Sequence, residues 1–574
     1  MASITDKTPV LLIPGLGSIR GVVDEQVPVV KYLNIPFATV EKRWSPATPV
    51  KHWEGVRDGT KIGPAPTQSE KVLENLAFQQ GVSQRPYKEV FSERNGLNLN
   101  VFAPHPSVLE KRSGKDPLPV LVWVHGGGFQ IGGSYIPQYD GTNLVAQSIS
   151  RGEPIIYVSI NYRLQHLGWA ASKELKEEID NDSTLTGEQK AVGNWGLQDQ
   201  KLAFLWVRDH IGAFGGNARN ITAFGESAGS ISLAYHLMTP AHHGLFQRAI
   251  LQSGASLSLP TKDIKHTGQA YFDYLLQQHG IPTDDSISGA EKLARLRAIP
   301  EEVLAAKWPD DLLFSLPTID GVLIDSPSCV WHFDPSRLDP NIEFVMITVN
   351  RDETTVFGDL MGTRQHRLWT KYASRFVTDP ATEGVERVEK LFGVPTNDAE
   401  TLRATVEISN YAVFQVPQVS FGDTVLRAHH ELGRRVELAF CFFDIENEAF
   451  NAQFPGLGAS HGIEMLYTFD SPNNRKFLTE REQQLAAQIQ DLFLRVATFT
   501  KPIPTIRKSK SLWGDRHDEV VFFKKDLTVG RTNVADWLNK DKYDYILRFL
   551  KSQTPRYERG DWKDQGVPCF KIVQ

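Results

Sequence analysis

Short apolar or β-branched runs punctuate the chain at 120–124, 155–160, 221–224, 249–251, 344–349 and 438–443. Each is too short for a helix and is bounded by polar or turn residues, so the runs predict buried strands. Between them apolar positions recur at helical spacing. In 197–211, Leu202, Leu205, Trp206 and Val207 fall largely on one face, and Leu485, Ile489, Leu492, Phe493 and Val496 do the same further on. Both segments predict helices packed on a sheet. The alternation of strands and helices predicts an α/β protein: a large, mostly parallel central sheet flanked by helices on both faces. Two intervals, 260–339 and 358–431, are rich in helical patterns and poor in strand signals. They are read as helical insertions that roof a site. No internal repeat, low-complexity tract or long Gly/Ser linker divides the chain, so residues 1–574 are expected to form a single domain.

With 41% of residues apolar and 23% charged, the chain can bury a large core. The net charge of -6 is small for this length, and basic residues cluster only briefly at 507–510. Nothing in that balance recruits nucleic acid or an anionic membrane surface. No window approaches the roughly 18 to 20 consecutive apolar residues of a membrane span. The apolar stretch Val10 to Ile13 is broken by Pro14 and is too brief for a signal peptide. A soluble, cytoplasmic protein is the expectation. Cys329, Cys441 and Cys569 stand far apart and read as reduced thiols. None of the 16 histidines falls in a metal-binding pattern, so neither a metal nor a cofactor is expected. Neither a protein partner nor an oligomeric state is specified.

Gly225-Glu226-Ser227-Ala228-Gly229 matches G-x-S-x-G, in which small residues permit a tight turn that lifts a serine hydroxyl out of a sheet. A second match, Gly458-Ala459-Ser460-His461-Gly462, is a decoy. It follows Pro455-Gly456-Leu457 and has neither a strand before it nor a small-residue helix after it. The first match has both, so Ser227 is the expected nucleophile.

His125-Gly126-Gly127-Gly128-Phe129 follows the first predicted strand. Without Cβ atoms its backbone can approach a substrate and aim N–H groups at developing negative charge. Gly127 and Gly128, with the N–H of Ala228, are expected to form an oxyanion hole. The loop lacks the signatures of a nucleotide-binding turn. His125, first in the loop, reads as a structural histidine.

A serine hydroxyl needs a histidine to take its proton and a carboxylate to orient that histidine. With a chain order of serine, acid, histidine, the acid falls where the run 344–349 ends in Asn350-Arg351-Asp352-Glu353, and either Asp352 or Glu353 can supply it. The base is expected at His461, in the glycine-rich loop after the run 438–443.

Several ordered blocks together resemble the type-B carboxylesterase/lipase family, the cholinesterase-like α/β-hydrolases. They include Val120 to Phe129, Asn161-Tyr162-Arg163, Gly193-Asn194-Trp195-Gly196-Leu197-Gln198-Asp199-Gln200, Gly225 to Gly229 and Ala249-Ile250-Leu251-Gln252-Ser253-Gly254. Pro317-Thr318-Ile319-Asp320-Gly321, Asn350 to Glu353 and Ser460-His461-Gly462 follow. The resemblance implies the α/β-hydrolase fold, and Ser227, Glu353 and His461 as the catalytic triad. It also implies Gly127, Gly128 and Ala228 as oxyanion donors, Ser253 as a supporting hydroxyl near the histidine and acid, and Glu226 as the acid beside the nucleophile.

The chain departs from the family in one respect. The blocks that carry a lid disulfide in many members read Gly63-Pro64-Ala65-Pro66-Thr67-Gln68 and Ser92-Glu93-Arg94-Asn95-Gly96-Leu97, with no cysteine. The lid, 67–95, is therefore expected to be more mobile than in disulfide-bearing relatives. The expected reaction is hydrolysis, through an acyl-enzyme, of a small-molecule or lipid ester, in detoxification or specialised metabolism. A transacylase using the same serine is the alternative, and a noncatalytic adhesion-type module conflicts with the intact serine, glutamate and histidine. Phe129, Tyr135, Trp169 and Phe314 are candidates for a substrate pocket, although aromatic residues at such places more often belong to the core.

Overall fold

The computed structural model describes residues 8–69, 90–111, 116–306, 315–360, 365–378, 383–500, 503–506, 511–513 and 520–559. Eleven strands form its main sheet. In chain order they are β1 (Val22–Val23), β2 (Val29–Pro36), β3 (Asn98–Pro104), β4 (Leu118–Val124), β5 (Ile156–Ile160), β6 (Gly216–Glu226), β7 (Arg248–Gln252), β8 (Phe344–Asn350), β9 (Glu437–Phe443), β10 (Val520–Phe523) and β11 (Val529–Thr532). Across the sheet they run β1-β2-β3-β5-β4-β6-β7-β8-β9-β10-β11. From β5 to β10 every neighbouring pair is parallel, while β1, β2, β3 and β11 add antiparallel edges. The fold is that of the α/β-hydrolases, as expected.

The parallel strands are buried on both faces, which is why they read as continuous apolar runs rather than alternating ones. In β4, Val120, Val122 and Val124 enter the apolar cluster on one face, and Leu121 and Trp123 enter the cluster on the other. The six predicted runs correspond to β4 through β9. Of the N-terminal strands, β3 was not signalled because its buried positions include polar side chains. Asn98 and Asn100 in β3 are both buried, their amides bound to Pro64 O (2.7 Å) and Ser134 O (3.1 Å).

Four helices flank the sheet near the site: α1 (Trp195–His210), α2 (Ala228–Met238), α3 (Val416–Leu432) and α4 (Glu480–Thr498). Helix α4 starts at a reciprocal cap between Thr479 and Glu482 and lays Leu485, Ile489, Phe493 and Val496 on the sheet. Among its described residues the interval 260–339 includes the helices Gln269–Gln278, Gly289–Arg297 and Glu301–Ala306, and a short parallel pairing of Lys262–Asp263 with Thr318–Ile319. Tyr271, Phe272, Leu275, Leu293 and Leu296 there build a satellite apolar cluster with Trp195 of α1. The interval 358–431 is helical as well, but its last helix, α3, packs directly on β8 and β9. Among the described residues no helix is long and apolar enough to cross a membrane.

Candidate active site

The parallel strands deliver their C-terminal ends to one edge of the sheet, the usual place for a site in such folds. Ser227 follows β6, His125 follows β4, Ser253 follows β7, and Asn350 closes β8. Ser227 has φ 55° and ψ -123°, a conformation that a residue with a Cβ adopts only under local constraint. Its neighbours explain the constraint. A Cβ on Gly225 would lie 2.7 Å from the backbone of Gly229, and one on Gly229 would lie 2.0 Å from Val124 O. The motif's two glycines therefore let β6 turn into α2 hard against β4. The decoy serine, Ser460, lies in a turn that pairs with Asp352 and carries His461 to the same edge.

Gly126 touches the elbow: its Cβ would meet Glu226 Oε2 at 2.6 Å and Ser227 Cβ at 3.0 Å. Gly127 and Gly128 have φ of 100° and 62°. The N–H groups of Gly127, Gly128 and Ala228 have no protein acceptor among the described residues. His125 is buried, its Nδ1 on Gly126 O (2.8 Å) and its ring stacked on Tyr162 at 4.4 Å. Burial pushes it down to about 4, so it is neutral.

His461 places Nδ1 2.7 Å from Glu353 Oε2, which fixes the proton on Nδ1. Glu353 is itself held by the Asn350 N–H, which donates to Oε1 at 2.7 Å. Asp352, the other candidate acid, is engaged elsewhere: it pairs with Arg351 at 2.7 Å and accepts the Ala459 N–H at 3.0 Å, pinning the loop that bears the histidine. His461 Nε2 lies 2.9 Å from Glu226 Oε1, a charge contact without the alignment of a hydrogen bond, and no hydrogen bond joins it to Ser227 Oγ. Burial alone would lower the histidine; Glu226 and Glu353 outweigh it and push it up to about 10. Its ring packs against Phe414 (4.6 Å) and Phe357 (5.1 Å).

Ser253, at φ 52°, accepts from Asn350 Nδ2 at 3.1 Å. The same amide donates to Glu464 Oε2 at 2.6 Å. Glu464 is fully buried and was not anticipated from the sequence; its one signal is a carboxylate three positions beyond the base, just before the apolar helix Met465–Phe469. Phe129, Tyr135 and Trp169 are core residues, Phe129 and Trp169 meeting at 4.4 Å. Phe314, and residues 70–89 of the expected lid segment 67–95, lie outside the described residues. The lid's flanks pair through backbone, Ala65 N–H to Val90 O (2.7 Å) and Ser92 N–H to Ala65 O (2.9 Å). Gln68 ties one flank to Gly132, beside the glycine loop, by two hydrogen bonds of 2.8 Å.

The remaining sequence blocks pair with one another. Arg163 grips Asp199 with two 2.8 Å bonds, and Asn194 binds Thr318 O at 2.8 Å and Asp320 at 3.1 Å. This set of pairings and the strand–elbow–helix around Ser227 extend over most of the chain, and so does the match to the model of the carboxylesterase family, at residues 7–545. The chain belongs to the carboxylesterase family. Mouse cholinesterase is 32% identical over 519 residues, covering 84% of this chain and 77% of that one. Rat carboxylesterase 1D is 29% identical over 576 residues, covering 93% and 91%. Para-nitrobenzyl esterase of Bacillus subtilis is 34% identical over 308 residues, about half of each chain (53% and 55%). A solved structure of a PNB esterase superposes with a TM-score of 0.71 at 24% identity, over 94% of this chain and 99% of that one, and so shares the fold. As a carboxylesterase family member the chain is a carboxylic ester hydrolase. Among the described residues no cluster of His, Cys, Asp or Glu is placed to hold a metal ion.

Proposed function

We propose that this carboxylesterase hydrolyses small-molecule carboxylic esters through an acyl-enzyme on Ser227, with His461 as general base, Glu353 as its orienting acid and Gly127, Gly128 and Ala228 as oxyanion donors. The observation that carries the reading is the 2.7 Å bond from His461 Nδ1 to Glu353, beside a serine held at φ 55°. In the first step His461 Nε2 takes the Ser227 proton as Oγ attacks the ester carbonyl. The carbonyl oxygen becomes an anion, met by N–H groups that have no other acceptor among the described residues. The alcohol leaves with the proton from His461, and water repeats the sequence to release the acid. Because Nε2 rests against Glu226, the base has to swing onto Ser227 Oγ once an ester is bound, a tightening common on complex formation.

Ser227→Ala should lower turnover of p-nitrophenyl esters by about 10⁴-fold or more, leaving what the oxyanion donors alone provide. It should also abolish labelling by a fluorophosphonate. A nearly active, still-labelled alanine variant refutes the assignment. The relatives' names span nitrobenzyl, choline and fumonisin esters, so acyl and alcohol preference is read by a chain-length series on the same protein.

A further inference from the structure

The helical interval 358–431 meets the acid turn, Asn350 to Glu353, through a π-turn, Asn410–Gln415, that joins the helix Asp398–Ser409 to α3. In an α-helix, positions five apart point about 140° away from each other. The i→i+5 bonding of a π-turn brings them nearly one above the other. Asn410 and Gln415 are five apart, and the turn aims both buried amides at one atom. Asn410 Nδ2 donates to Arg351 O at 2.8 Å, and Gln415 Nε2 donates to it at 3.2 Å. Phe414, in the same turn, lays its ring on His461 at 4.6 Å.

The carbonyl that the two amides share belongs to a peptide group with a second contact. The N–H of that group, on Asp352, donates at 3.0 Å to Ala459 O, two residues before His461. One peptide plane therefore joins the acid turn, the histidine loop and the roof, and tipping it would move Glu353 relative to His461. Among the described residues no main-chain N–H is bonded to Arg351 O, so the two amides hold its direction. A carbonyl only accepts, so neither amide can be turned end for end without setting oxygen against oxygen. The oxygen of each amide is buried and meets no partner among the described residues. An apolar side chain of the same size would avoid that cost, so the pair is kept for its donors. Thr354 adds a further stitch to the roof, its Oγ1 donating to Val406 O at 2.7 Å.

We infer that Asn410 and Gln415 are positioning residues for the acid and base: by holding the Arg351–Asp352 peptide from the roof, they keep Glu353 in line with His461. The role rests on the serine-hydrolase reading above. A carbonyl has two lone pairs, so either amide alone can keep the peptide in place. Asn410→Leu and Gln415→Met should each lower kcat by no more than about threefold, because the other amide remains. The double variant frees the peptide and should lower kcat by about 30-fold or more, well beyond the product of the two single losses. KM should stay within about twofold, because neither amide is asked to bind the ester.

The test pairs these kinetics with the low-field proton spectrum of the full-length protein. The His461 Nδ1 proton, shared with Glu353 at 2.7 Å, should give a resonance far downfield of the amides that is missing from His461→Gln. In the double variant it should move upfield and broaden as the bond to Glu353 lengthens, and in each single variant it should move part of the way. The single variants therefore carry the test should the double variant not fold. A resonance that is absent from wild type, or that stays in place in every folded variant, overturns the proposal whatever happens to the rate. A double variant with kcat within about threefold of wild type overturns it as well, and a raised KM at unchanged kcat would assign the amides to the substrate pocket instead. Fluorophosphonate labelling of Ser227 is run alongside: its absence in wild type fails the serine mechanism, while the resonance still reports the hold of the roof on the Glu353–His461 bond.

Discussion

His461 and His332 are both buried histidines with a polar neighbour at each ring nitrogen, and they are pushed in opposite directions. His332 sits between hydroxyls, Ser256 Oγ on Nδ1 at 2.7 Å and Ser420 Oγ on Nε2 at 2.9 Å, and burial pushes it down to about 3. His461 sits between carboxylates and rises to about 10 in spite of the same burial. His236, bonded to Gln200 at 2.9 Å and to His242 at 2.6 Å, follows His332 down to about 3. Burial therefore decides only that a histidine's charge is expensive, and the neighbour decides whether it is carried. A base that must become an imidazolium in the transition state needs the second environment.

The sharpest way to break this contrast is to remove the carboxylate proposed to orient His461. Glu353→Gln keeps the shape but frees His461 Nδ1 from its acceptor and favours the wrong tautomer, so kcat should fall by about 10³ to 10⁴, measured by steady-state hydrolysis. A loss below tenfold would move the orienting role away from Glu353. Glu226→Gln should act differently, through the pH axis. Glu226 raises the histidine, and the protonated base is inactive, so the rising limb of kcat/KM should shift to lower pH by about 1 to 3 units. An unmoved limb would mean that the 2.9 Å contact carries no charge coupling.

How much of this was legible beforehand differs between fold and site. The strands buried on both faces announced themselves as apolar runs, and the helix Glu480–Thr498 by the spacing of its apolar residues. The strand Asn98–Pro104 did not, because its buried asparagines are satisfied by chain neighbours visible only after folding. The elbow at Ser227 could be told from its decoy by the strand before it. The residues alone left Asp352 and Glu353 open as the acid and the family resemblance favoured Glu353; in the structure it is Glu353 Oε2 that lies 2.7 Å from His461 Nδ1. Glu464 stayed hidden because nothing in a sequence says that a glutamate next to an apolar helix points inward at two others.

The Asp352 side of that choice carries a smaller expected effect. Asp352→Asn removes a charge partner of Arg351 but leaves a side-chain oxygen to accept the Ala459 N–H, so the loop bearing His461 should keep its place. Turnover should drop by no more than about tenfold, with the loss reported mainly as a lower Tm. A loss as deep as that of Glu353→Gln would make Asp352 the orienting acid and overturn the assignment.

The mildest test probes the other arm of the comparison and reads stability alone. The folded His332 titrates near 3, whereas the unfolded side chain takes its proton near 6.5, so the unfolded state binds more protons between those values. Stability from this group is complete above 6.5 and is lost as pH falls, by about 1.4 kcal/mol per pH unit. His332→Gln cannot be protonated. It should be less stable than wild type at neutral pH, by about 1 kcal/mol for a poorer fit between Ser256 and Ser420, and the deficit should shrink on acidification. The raised His461 has the reverse sign: its contribution is full below 6.5 and is lost as pH rises toward 10, so His461→Gln should open its deficit in acid and close it in alkali. Thermal midpoints of the two variants, taken on both sides of neutrality, should diverge from wild type in opposite pH directions, and parallel curves would show that the neighbours of these histidines do not set their charge.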